Sequence, residues 1–246
     1  YLGTKYVANT LDQGTEEKLV ILPQTVDCLT FVEYTLAQAM GSSFADNLQK
    51  IRYRDGVIDG YTSRLHYTSD WIENGVRQGF SGRRLLHKTV RRPPNCLSLI
   101  CPPIPQKYRQ LADSPENVKR MAEHEKALSG KKVHWLPKGK LPDAGLPWIM
   151  DGDIIAITTN LPGLDVAHVG MAEYINGSCI CFTPLLRLAR LLSAKSLSAK
   201  CFAIINHGAA YVSSGCLTLK TNDYETSKTF TSRVVSVAYF FGGTGS

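Results

Sequence analysis

Asp27-Cys28-Leu29-Thr30-Phe31-Val32-Glu33 sets a cysteine where an irregular segment becomes an amphipathic helix. Leu29, Val32, Leu36 and Met40 recur at the spacing that lines one helical face, and Gly41 stands where a C-cap belongs. A sulfur in the first helical turn meets unpaired backbone N–H groups and the positive end of the helix dipole. Both favour the thiolate, which is the nucleophilic form. The other reading of Cys28 is a small buried hydrophobe. A histidine far downstream weighs against it.

That histidine is His168, within Asp165-Val166-Ala167-His168-Val169-Gly170-Met171-Ala172. Gly152 to Thr159 reads as a buried strand and Val166 to Ile175 as its neighbour, followed by a two-residue hairpin turn at Asn176-Gly177. His168 therefore lies on a core strand, with Gly170 leaving room on the same face. A lone strand histidine is often structural. A helix-start cysteine followed at long range by a strand histidine is the order expected of papain-like hydrolases.

Gly3-Thr4-Lys5-Tyr6-Val7-Ala8-Asn9-Thr10, then Asp27-Cys28, then His168-Val169-Gly170 resemble the NlpC-type papain-like cell-wall hydrolases. Arg52-Tyr53-Arg54-Asp55-Gly56, the run from Gly60 to Trp71, and Gly152-Asp153-Ile154-Ile155-Ala156-Ile157 narrow the resemblance. They are similar to a bacterial subfamily of N-acetylmuramoyl-L-alanine amidase-like proteins. The resemblance covers about residues 1–177. It implies an α+β papain-like fold, with a nucleophile helix packed on an antiparallel sheet or barrel and a large insertion, residues 42–150, between them. It also implies cleavage of the amide between N-acetylmuramic acid and L-alanine in peptidoglycan fragments, without metal or organic cofactor, in the cell envelope or outside the cell. The nearest rivals are an NlpC-type endopeptidase cutting within the stem peptide and a catalytically dead cell-wall-binding module.

Amide hydrolysis by cysteine needs a nucleophile, a proton shuttle and donors for the oxyanion. Cys28 and His168 suit the first two roles. Tyr6 aligns with a tyrosine that precedes the nucleophile in NlpC-type enzymes, and its hydroxyl could donate to the oxyanion beside the Cys28 N–H. Asp27 suits a helix cap. Arg52, Arg64, His66, Asp70 and Trp71 are the substrate-binding candidates: a peptidoglycan stem offers carboxylates to arginine forks and a sugar face to tryptophan. The alternative for the charged ones is a structural salt-bridge network. His87, His124 and His134 read as solvated.

Charge and cysteine usage exclude other classes. The formal charge is +7, yet residues 178–246 hold seven Lys/Arg against two Asp/Glu, and the rest holds 21 against 19. No basic stripe interleaved with aromatics appears, so nucleic acid is not an expected partner. No apolar run is long enough to span a bilayer. The seven cysteines show no Cys-x-x-Cys and no His at metal-ligand spacing, which argues against zinc. No protein partner is evident. The first residue, Tyr1, already falls inside the family pattern, so an upstream segment is expected.

Residues 178–246 do not continue the pattern. In the resembled families the strand after the hairpin supplies a third catalytic residue, often a His within a His-Ala-Ser run, but after His168 the next histidine is His207. Codons for Cys179 through Cys216 can be chosen so that a shifted frame runs without a stop and contains that run. Cys96 to Pro105 behaves similarly. Two out-of-frame segments, about 96–105 and 178 onward, are one reading. The other is a divergent tail with its own strands, for which the β-formers from Val234 to Phe241 argue.

Overall fold

Asp27 caps the helix that Cys28 begins. The computed structural model describes residues 1, 4–82, 108–129, 136–137, 149–158, 165–185, 190–194 and 235–241, and α1 spans Cys28–Ala39. The Asp27 carboxylate accepts from the Thr30 N–H at 2.8 Å, while the Thr30 hydroxyl oxygen accepts from the Asp27 N–H, also at 2.8 Å. This reciprocal capping box satisfies two backbone donors and fixes where the helix starts. Gly41, just beyond the C-cap Met40, has φ 70°, the left-handed conformation that glycine tolerates at a helix end.

The apolar face of α1 buries Val32, Leu36 and Ala37. It packs with Leu48 and Ile51 of α2 (Phe44–Arg52) and with Trp71 and Ile72 of α3 (Thr68–Arg77). Ile154, Ala156, Val169 and Met171 of the sheet join the same cluster. Segments within residues 42–150 thus share one core with the helix and strands that carry Cys28 and His168. A second cluster joins Tyr61 and Tyr67 to Leu111 and to Met121 and Leu128 of α5 (Pro115–Leu128), preceded by the short α4 (Arg109–Ala112). His124 on α5 is partly buried rather than fully solvated, and burial lowers its pKa.

Among the described residues the sheet has nine strands. They are β1 (Lys5–Tyr6), β2 (Thr25–Val26), β3 (Ser81–Gly82), β4 (Leu136–Pro137), β5 (Ile154–Thr158), β6 (Val166–Ile175), β7 (Ser178–Leu185), β8 (Arg190–Ala194) and β9 (Val235–Phe241). The order is β2-β1-β8-β7-β6-β5-β9-β3, with β4 also on β9. The architecture is α+β. β5 carries Ile154, Ile155 and Ala156, each 0% exposed, so it is covered on both faces. Its unbroken apolar run is the signature of such a strand.

β5 and β6 pair antiparallel, with a register shift between Ile157 and Thr158. The Asn176-Gly177 hairpin forms as its sequence predicts: both residues have positive φ, 49° and 77°, the requirement of a tight turn that matches strand twist. β7 then returns beside β6, pairing Phe182 with Met171. The β-forming stretch near the C-terminus forms β9, parallel to β5 from Ile154–Val237 to Thr158–Phe241. Residues 83–107, with the 96–105 segment, Cys96, Cys101 and His87, lie outside the described residues, as do His134, His207 and residues 195–234.

Candidate active site

Cys28 is half-buried as the first residue of α1, facing β6. The backbone N–H groups of Val169, of Leu29 and of Cys28 itself lie near its sulfur and favour the thiolate. Val169 follows His168 directly, so the nucleophile candidate touches the strand that carries the histidine candidate. His168 is half-buried and pairs in register with Ile157, beside the bulge in the β5–β6 ladder.

Burial works against the thiolate that the helix start favours. Burial and the neighbouring Asp27 carboxylate push the Cys28 thiol up to about 12, and the three N–H donors offset only part of this. Desolvation favours the neutral form of a thiol, and here it outweighs the helix end. Burial likewise lowers His168 to about 4. At neutral pH the site therefore rests as thiol and neutral imidazole.

Tyr6 lies at the same place. β1 pairs with β2 in parallel, setting Tyr6 against Val26, two residues before Cys28. Burial raises the Tyr6 hydroxyl pKa, and the Cys28 and Asp27 charges raise it further, so the phenol stays a donor. Asp27 is occupied as the helix cap.

Beside this group opens a cavity of about 150 Å³, walled by Asp27 and Leu29, by Asp12 and by Arg64 and His66. Of the substrate-binding candidates, Arg52, Arg64 and His66 line it. The Tyr53–Arg64 bridge and the Leu65 N–H to the Arg52 carbonyl at 3.0 Å hold this wall. Arg64 is 6% exposed, with Asp12 at 2.5 Å, Glu17 at 3.5 Å and the Tyr61 ring centroid at 5.2 Å. His66 donates from Nε2 to the Tyr61 carbonyl at 2.9 Å, its acceptor fixing that tautomer. Burial, then the Arg64 charge, lowers His66 to about 4.

Arg52, Asp70 and Trp71 are engaged in the fold. Arg52 also borders the cavity, but it and Glu33 are each 1% exposed, and they pair at 2.8 Å. Arg52 further donates to the Val20 carbonyl at 2.5 Å. Asp70 accepts a two-pronged hydrogen bond from Arg54 at 2.9 and 2.6 Å. Trp71 is 1% exposed and packs edge-on against Phe80, with no face open to a sugar. These side chains act as the salt-bridge network and core that the sequence offered as the alternative. Sequence reasoning missed Asp12 and Glu17, which lie in an irregular segment 52 and 47 positions before Arg64 and carry no local signal. Among the described residues, no group of three or more metal-ligating side chains occurs.

This chain belongs to the N-acetylmuramoyl-L-alanine amidase-like (AmiA-like) family, whose pattern it matches over residues 1–201. A Bacteroides uniformis N-acetylmuramoyl-L-alanine amidase is 52% identical, with TM-score 0.73, over 80% of this chain and 85% of that one. A Bacteroides fragilis protein provisionally assigned as a xylanase is 49% identical, with TM-score 0.74, over 80% and 89%. A Legionella pneumophila protein at 22% identity and TM-score 0.52, over 79% and 77%, shares the fold alone. A search of curated proteins finds no match.

Proposed function

We propose that the chain is a papain-like cysteine amidase that hydrolyses the N-acetylmuramoyl-L-alanine amide of peptidoglycan fragments outside the cytoplasm. One observation carries this reading: the Val169 N–H lies near the Cys28 sulfur, so the helix-start thiol packs against the His168 strand. The amidase relatives support the choice of bond. Among the described residues, no helix is long and apolar enough to cross a membrane.

In the first step the Cys28 sulfur adds to the carbonyl carbon of the lactyl amide while its proton passes to His168. Because thiol and imidazole rest neutral, this transfer accompanies attack, and the pair tightens when substrate binds, as catalytic contacts in empty sites often do. The Tyr6 hydroxyl and the Cys28 N–H donate to the oxyanion. Collapse breaks the C–N bond, and the imidazolium proton leaves on the L-alanine amine. His168 then takes a proton from water, which cleaves the thioester and restores the thiol. Arg64 and His66 face the stem peptide.

The xylanase assignment of one relative points to a glycosidase instead. That chemistry needs two carboxyl groups flanking the scissile bond. Around this cavity Glu33 is bound to Arg52, Asp27 to its helix and Asp12 to Arg64, so no two carboxyl groups stand free to flank a bond, which favours the amidase. A stem-peptide endopeptidase and an inert binding module are separated by products. The amidase releases free sugar and intact peptide, the endopeptidase a shortened peptide, the module nothing.

In the frame-restored chain, Cys28→Ser is expected to abolish hydrolysis while muropeptide binding survives. Turnover above about a hundredth of wild type would overturn the assignment, since a positioned nucleophile is worth far more.

The tail enters the same proposal. A His-Ala-Ser run, read in the shifted frame at the Phe182–Thr183 position, would fall on the strand beside β6 and could orient the His168 imidazole. We read residues 178 onward as out of frame on that account.

A further inference from the structure

We infer that the Arg64 cavity is a subsite for a substrate carboxylate, and that the chain's own Asp12 fills it at rest, so that an acidic stem peptide binds by exchanging one carboxylate for another. This rests on the amidase reading and adds to it which part of the substrate is recognised. Three observations support the exchange.

The two partners are unequal. Arg64 is 6% exposed and fixed in the wall, whereas Asp12 is 42% exposed and belongs to a segment without regular structure. The carboxylate on the solvent side can leave; the guanidinium cannot. Secondly, Arg64 keeps support when Asp12 leaves. Glu17, 8% exposed at 3.5 Å, and the Tyr61 ring remain on it. A buried guanidinium stripped of every partner would be prohibitive, but this one exchanges a single contact. Thirdly, position and size fit one residue of a peptide. The cavity is bounded by Asp27 and Leu29, the neighbours of Cys28 on both sides, and its volume of about 150 Å³ admits a single side chain. Pockets for whole drug-sized ligands are roughly 300–1,000 Å³, so this cavity suits one residue and not a whole muropeptide.

An arginine fork distinguishes carboxylate from carboxamide by charge as well as by geometry. The enzyme should therefore prefer stem peptides whose second residue is glutamate over those in which that carboxylate is amidated. Asp12 tempers the preference, because the free carboxylate must displace a resident one. Asp12→Asn removes the competing charge.

The test uses the frame-restored chain, as wild type and as the variants below, and muropeptides identical except for a free or amidated carboxylate on the second residue. The ratio of their kcat/KM values, free over amidated, is expected to exceed one in wild type and to rise at least about threefold in Asp12→Asn. Arg64→Lys, which keeps the charge and loses the fork, is expected to lower it. Calorimetric binding of the same two muropeptides to Cys28→Ser, with and without Asp12→Asn, reads the preference independently of turnover. If wild type cuts neither substrate while the binding preference shows the expected rise, the amidase assignment fails and the subsite stands. If the ratio is unchanged or falls in Asp12→Asn, by turnover and by binding, the subsite is refuted whatever the enzyme cleaves. Asp12→Ser replaces Asp12→Asn should the latter fail to fold.

Discussion

At the scale of single residues, Asp27 has two effects that oppose each other chemically. Its carboxylate caps the helix that presents Cys28, and its charge makes the Cys28 thiolate harder to form. Asparagine caps a helix about as well as aspartate but carries no charge. Asp27→Asn should therefore keep the fold and move the Cys28 alkylation profile to lower pH. The sign follows from linkage: an anion beside an acid raises its pKa, so removing the anion lowers it. Iodoacetamide labelling across pH, resolved by peptide mapping, checks this, and an unmoved profile would contradict it. The helix start at Cys28 was legible because Asp, Thr and the apolar spacing are local signals. The protonation state was not, because it depends on burial against β6, more than a hundred residues away.

At the scale of elements, the Glu33–Arg52 pair joins α1 to α2 inside the core. Two charges buried this deeply contribute little net stability as a pair, but either one alone is costly. Arg52→Ala should lose about 3–5 kcal/mol, read from urea unfolding, because Glu33 would remain with its charge uncompensated. A loss under about 1 kcal/mol would show that Glu33 protonates or finds water at small cost. The motif around Arg52 identified the family, yet its chemistry alone could not separate ligand binding from internal pairing. A guanidinium suits both carboxylates equally, and only the position of Glu33, nineteen residues earlier, decides between them. The β5, β6 and hairpin segments were easier to read. Their signals, an apolar run and Asn-Gly, are local consequences of strand burial and backbone twist.

At the scale of the whole molecule, the tail separates two versions of this protein. Expressed side by side, the frame-restored chain is expected to hydrolyse muropeptides and the written chain is not. A soluble, cooperatively melting and active product from the written frame would refute the frame shift. The sequence alone gave both readings, since permissive codons admit the one and good β-formers the other. Tyr239 to Phe241 do take part in pairing β9 with β5, a long-range contact that composition could only hint at. That pairing also has a consequence during synthesis. β5 ends at Thr158, and the strand that covers one of its edges ends at Phe241. At about 5–20 residues per second, a ribosome needs roughly 4–16 s to make the intervening chain. For that interval a row of unpaired backbone groups on an apolar strand stands open, as an edge able to recruit a neighbouring nascent copy.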